Sequence, residues 1–337
     1  MSTATELARI VALAALGTLV ATPGHAGVMH DLAAEVTARL EALRAAHVPR
    51  IAVPVRVVVA WRPQRLTPAF ELGAPLLTLG AADLDGDGKA ELYAVTTREV
   101  VAFAITDHRV KELARVSFVG DQAMPAPRDP IGAVVIVDGA DGAGKTLIAS
   151  STAFTRTLRV TWQHHQLVGV AGEPGLEQCA GERVQLAPGR NYVGDDKTGS
   201  YATRCREIID AHGERERVRG VLGLTGRLEV ARECAIGVTC ERAPVLAFAR
   251  VGTAFELADL DRDGTAELIY ASANAPGEPD ELRVVTLGGD EKKPTWRKAF
   301  SAGGVAGLTV GEFDGAPAVI AAVRLVGSTR IDLWRMN

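Results

Sequence analysis

The sequence has few aromatic residues, 5% of 337, which argues against a stacking platform for sugars. It has no basic surplus. Its 37 Lys and Arg stand against 41 Asp and Glu, for a net charge of −4, so a nucleic-acid backbone is a disfavoured partner. Four cysteines are too few for a disulfide-built miniprotein, and a core of this size does not require them. No G-x-S-x-G elbow occurs, which leaves a hydrolase of that type without support. Beyond the first thirty residues no apolar run is long enough to span a bilayer. What remains is 47% hydrophobic and 23% charged with 35 glycines, the composition of a folded chain with many tight turns around Val, Leu, Ala and Ile.

Residues Ile10 to Ala21 are apolar, follow Arg9 and precede Pro23-Gly24. This is about half a membrane span, and the small residues Gly24 and Ala26 suit cleavage after Ala26. Residues 1–26 therefore read as a signal peptide, and the expected location is periplasmic or secreted, without a transmembrane segment. A buried N-terminal helix is the alternative. Cys179, Cys205, Cys234 and Cys240, with 25, 28 and 5 residues between them, lack zinc-knuckle spacing. In an oxidising compartment they favour Cys179–Cys205 and Cys234–Cys240, with free buried thiols as the alternative.

Within residues 27–49, Leu32, Val36, Leu40 and Leu43 share one face at helical spacing, Glu35 and Arg39 pair on the other, and Pro49 stops the helix. From there the period is two, which sets residues 50–337 apart as an all-β domain. Residues 51–61, IAVPVRVVVAW, are expected to form a strand at an edge that closes the last structural unit.

The domain repeats itself. ADLDGDGKAELYAV begins at Ala82 and ADLDRDGTAELIYAS at Ala258; weaker copies begin at Val137 and Gly311. Asp87, Asp141, Asp263 and Asp314 lie 54, 122 and 51 residues apart, and the doubled gap places a degenerate unit with all four cysteines at about residues 171–249. Alternating strands follow at Glu99, Leu158, Leu282 and Arg330. Units of this length with about four short strands are propeller blades rather than solenoid turns, and the length allows about five.

The two strong copies carry the chemistry. Asp83, Asp85, Asp87 and Glu91 fall within nine residues, as do Asp259, Asp261, Asp263 and Glu267. So many carboxylates are costly to bring together without a cation. A curled loop can converge positions 1, 3, 5 and 9 and add the carbonyl of position 7, Lys89 or Thr265. This all-oxygen shell suits Ca²⁺ better than Zn²⁺ or Mg²⁺. An EF-hand is excluded: position 12 is Ala94 or Tyr270, and strand-like residues follow.

The D-x-D-x-D-G-x-x-E-L motif before a strand resembles the FG-GAP (VCBS) repeat of integrin alpha-chain propellers and of many exported bacterial proteins, over roughly residues 70–336. The resemblance implies a calcium-binding β-propeller and carries the family's ligand positions to the ten residues named above. The FG and GAP dipeptides themselves are poorly kept.

Residues 139–146, GADGAGKT, match a phosphate loop. That loop needs a helix from Lys145, whereas TLIASSTAF follows without a helical stripe, so an NTPase is disfavoured. His164-His165 reads as a solvated turn, and Trp162 and Trp334 as packing residues at equivalent strand positions. The expected function is an exported calcium-binding scaffold for a protein or glycan ligand. A propeller hydrolase or lyase acting on extracellular polysaccharide or peptide is the alternative.

Overall fold

A blade that is apolar on both faces cannot exist alone, and the strands of this chain are arranged so that every blade is covered by its neighbours. The computed structural model describes residues 52–139, 144–210, 213–233, 245–274, 278–289, 293–325 and 330–337. The expected signal peptide (1–26) and the expected helix (27–49), together with Asp141, Cys234 and Cys240, lie outside the described residues.

The chain enters through β1 (Pro63–Arg65) and β2 (Phe70–Glu71) and then lays down blade one as β3 (Leu76–Ala82), β4 (Glu91–Thr96), β5 (Glu99–Thr106) and β6 (Arg109–Ser117). Blade two is β7 (Gly132–Asp138), β8 (Lys145–Ser151), β9 (Arg156–Gln163) and β10 (Gln166–Pro174). A two-stranded ribbon follows, β11 (Leu176–Cys179) and β12 (Glu182–Val184). Blade three is β13 (Ser200–Ile209), β14 (Arg215–Gly223), β15 (Leu228–Glu233) and β16 (Leu246–Phe248). Blade four is β17 (Val251–Ala258), β18 (Glu267–Ser272), β19 (Asp280–Thr286) and β20 (Trp296–Phe300). Blade five takes β21 (Gly303–Phe313), β22 (Ala316–Leu325) and β23 (Arg330–Met336) from the end of the chain, and β1 pairs antiparallel with β23 as its fourth strand. All pairings within the blades are antiparallel. This is a five-bladed β-propeller.

The first strands of the blades form the inner ring. β21 packs on β3, β3 on β7, β13 on β17 and β17 on β21, while β11 of the ribbon stands between β7 and β13. The ring is tight because of glycine: a Cβ on Gly80 would lie 2.6 Å from Val134, and one on Gly311 2.6 Å from Ala81. Apolar clusters fill the seams between blades five and one, one and two, three and four, and four and five. The seam between blades two and three holds the ribbon instead, with Leu176, Glu177, Gln178 and Cys179 all buried. Its Cys179 is bonded to Cys205 of β13, one of the two pairings expected of an oxidising compartment.

The alternating strands expected at Glu99, Leu158, Leu282 and Arg330 are the third strands of blades one, two, four and five. One expectation is corrected. Residues 52–61 form no strand, and the ring is closed a few residues later by β1. Pro54 has no N–H to give a ladder, Val57 N–H goes to the carbonyl of Asp261 at 2.8 Å, and Trp61 turns the chain at φ 52°. Lys145 opens β8 rather than a helix, so the phosphate-loop match is a chance pattern at a strand start. Among the described residues no helix is long and apolar enough to cross a membrane.

Candidate metal centre

The loop from the first to the second strand of a blade is where the Asp-Gly repeats fall: Asp87 between β3 and β4, Asp263 between β17 and β18, Asp314 between β21 and β22. The turn is built by Asp side chains that cap backbone donors ahead of them. Asp83 Oδ1 accepts from Gly86 N at 2.7 Å and Oδ2 from Gly88 N at 3.0 Å. Asp85 Oδ1 accepts from Asp87 N at 3.0 Å, and Asp87 Oδ1 from Lys89 N at 2.8 Å. The loop of blade four repeats this: Asp259 Oδ1 and Oδ2 accept from Asp263 N and Gly264 N, both at 3.0 Å, and Asp263 Oδ1 from Thr265 N at 2.8 Å. Gly88 and Gly264, both at φ 85°, take the left-handed bend on which this curl depends.

The curl brings the carboxylates together. One oxygen each from Asp83, Asp85, Asp87 and Glu91 lies within 4.8 Å of the others, and Asp259, Asp261 and Glu267 make the corresponding group. Asp263 stands outside the second group. Lys89 and Thr265 lie in the same loops, and their N–H groups bond Asp87 Oδ1 and Asp263 Oδ1.

Each glutamate is buried at the base of its loop. Glu91 Oε2 accepts from Leu84 N at 3.1 Å and from the Tyr93 hydroxyl at 2.8 Å, while Glu267 Oε2 accepts from Leu260 N at 2.8 Å. Burial, assisted by the neighbouring aspartates, pushes the Glu91 carboxyl up to about 7 and that of Glu267 up to about 8. Burial raises Asp259 as well. These are acids held without sufficient positive charge. Tyr93 is a further member of the site that no motif marks. It lies two residues past Glu91, hence on the same strand face, and its hydroxyl accepts from Trp162 Nε1 of blade two at 2.9 Å.

The cation available differs from loop to loop. Among the described residues no arginine or lysine is paired with the first loop. In blade four Arg56 Nη2 lies 3.3 Å from Asp263 Oδ2 and 3.6 Å from Asp261 Oδ2. In blade five the turn keeps Glu312, which pairs with Arg262 of blade four, and Asp314, whose Oδ2 buried Arg335 reaches at 2.5 Å while also bonding the Phe313 carbonyl at 2.8 Å.

At the axis, Arg204 of β13 pairs with Glu256 of β17 at 3.3 Å and reaches Thr78 of β3 at 3.4 Å. Burial raises Glu256, and Arg204 and Arg206 oppose the shift. A cavity of about 230 Å³ opens nearby, with Pro54, Arg206, Ile208, Asp259, Arg262 and Glu312 in its wall. The remaining sequence candidates are peripheral. His164 and His165 form an exposed left-handed turn, Trp162 is held by Tyr93, and Trp334 packs edge-on against Phe300 at 5.6 Å.

No protein-family model and no curated protein sequence matches the chain. Among the solved structures that are similar, three at low identity are the following. BBS1N in complex with ARL6DN is 9% identical with a TM-score of 0.34, the match covering 80% of this chain and 97% of that one. The WD40 domain of SCAP from fission yeast is 8% identical, TM-score 0.27, covering 77% and 52%. The S. cerevisiae core factor is 11% identical, TM-score 0.35, covering 79% and 47%.

Proposed function

We propose that this chain is an exported, calcium-stabilised propeller of the FG-GAP/VCBS type, serving as a non-catalytic scaffold that binds a protein or other ligand. The observation that carries the reading is the convergence of Asp83, Asp85, Asp87 and Glu91. An oxygen-only donor set with carboxylates at positions 1, 3, 5 and 9 fits Ca²⁺, and Asp259, Asp261, Asp263 and Glu267 repeat the pattern. The raised glutamates support it, since a divalent cation would hold them ionised. The Cys179–Cys205 bond accords with an oxidising compartment and with removal of residues 1–26.

Bound only in the folded state, calcium adds about 2.7 kcal/mol when free ion is a hundredfold above its dissociation constant. Chelation is expected to lower the melting temperature of the full chain, and Mg²⁺ to restore it poorly. Asp85→Ala and Asp261→Ala are each expected to remove part of the effect. A melting temperature indifferent to chelator in metal-analysed protein would leave these loops as turns only.

A further inference from the structure

The two strong loops share a fold but not an electrostatic environment: the second carries Arg262 where the first has Gly86, but Arg262 turns to Glu312, and the cation that meets the loop's own carboxylates is Arg56. The first loop gathers four carboxylates, the second only three, and the missing one is Asp263, whose Oδ2 faces the Arg56 guanidinium at 3.3 Å. Val57, the next residue, donates its N–H to the Asp261 carbonyl at 2.8 Å. Residues 53–58 are thus tied to the second loop by an ion pair and a backbone hydrogen bond. Little else holds them: Val55 and Val58 are 80% and 96% exposed. Downstream the segment is fixed, because Trp61 stacks on Trp296 at 5.5 Å and Arg62 N–H bonds the Asn337 carbonyl at 3.1 Å. Upstream, Pro54 forms part of the wall of the axial cavity, which also contains Asp259.

We propose that Arg56 is a built-in counter-cation of the second loop, which a divalent cation must displace, and that its displacement frees residues 53–58 from the cavity beside it. The inference rests on the calcium reading above and adds regulation to it. The metal and the guanidinium both require Asp261 and Asp263, so the two cannot be held fully at once. Blade five shows the same exchange completed, with Arg335 buried on Asp314 where no carboxylate cluster survives. Blade one shows the opposite extreme, four carboxylates with no arginine among the described residues. The first loop should then be the tighter site, and filling of the second should alter access to the cavity.

The test is calorimetric titration of Ca²⁺ into the full chain carrying Asp85→Ala, so that the second loop is read alone, with and without Arg56→Gln. Arg56 is an exposed side chain, and its replacement should leave the fold intact. An exposed ion pair is worth up to about 1 kcal/mol, so Arg56→Gln should tighten the second site up to roughly fivefold. In the Asp261→Ala background, where the first loop is read, the same change should do nothing. Hydrogen exchange gives a second readout: the Val57 amide should lose protection when Ca²⁺ saturates the Asp85→Ala protein. Equal affinities with and without Arg56, or a Val57 amide protected regardless of calcium, would overturn the displacement while leaving the calcium reading in place. Absence of binding heat in the wild-type chain would overturn both.

Discussion

At the residue scale the two buried glutamates are the most informative groups. Glu91 and Glu267 titrate near 7 and 8 in the folded chain against an ordinary 4.5. In the metal-free protein a folded state that holds a proton more tightly than the unfolded one is favoured at low pH. That contribution is fully present below about pH 4.5 and disappears as pH rises through 7 to 8. With chelator present, the melting temperature is therefore expected to fall between pH 5 and 8, and the Glu91→Gln/Glu267→Gln protein to show a flatter profile. Glutamine keeps an acceptor for the Leu84 and Leu260 amides while removing the charge. Equal slopes in the two proteins would show that these carboxyls are not the titrating groups. The sequence made the carboxylates legible because their spacing is local, within nine residues. Arg56 and Tyr93 were not legible as partners of the site. Arg56 meets its carboxylates across more than two hundred positions, and Tyr93 looked like any strand residue.

At the element scale the closing strand shows what pattern can and cannot decide. Residues 51–61 have the β-branched composition of a strand, but composition says nothing about which partner edge is free. The free edge of β23 is taken by Pro63–Arg65, whose partners are Met336, Arg335 and Trp334. The pairing is reinforced by Arg65 on buried Asp332 at 2.8 Å and by Leu66, whose N–H bonds the Leu333 carbonyl at 2.8 Å. Leu66 is fully buried in the cluster between blades five and one. Leu66→Ala should cost about 2–5 kcal/mol, measurable by chemical denaturation; a loss under 1 kcal/mol would mean that closure does not depend on this anchor. The third strands of four blades, by contrast, are readable as alternating runs because each follows an Asp-Gly turn, 12 to 19 residues after its Asp.

For the whole molecule, the seams are unequal. Four are filled by apolar clusters, and the fifth by the ribbon, four of whose consecutive residues are buried, two of them polar. The doubled spacing of the Asp-Gly motifs announced an irregular unit there but not its form, since the ribbon has no repeat to match. The Cys179–Cys205 bond, 26 residues apart in sequence, ties this insert to blade three. Replacing both cysteines by serine is expected to lower stability by about 3.5 kcal/mol, the loop-closure effect for this length, with the loss read in urea unfolding. An unchanged midpoint would mean that the ribbon is held by packing alone.

The pairing of β1 with β23 also means that the propeller has no privileged first blade. Arg62 and Asn337 are hydrogen-bond partners, so a short peptide linker could join them, and the chain could be opened in the exposed stretch at Arg128–Asp129 between blades one and two. Such a circular permutant of residues 62–337 would carry every blade whole, each built from consecutive strands. Blade five would become local in sequence, and the seam that joins the two ends of the chain would move from blades five and one to blades one and two. Faster refolding than the parent order is the expected result in stopped-flow measurements, because the pairing of β1 with β23 would be local and only seam packing would remain long-range.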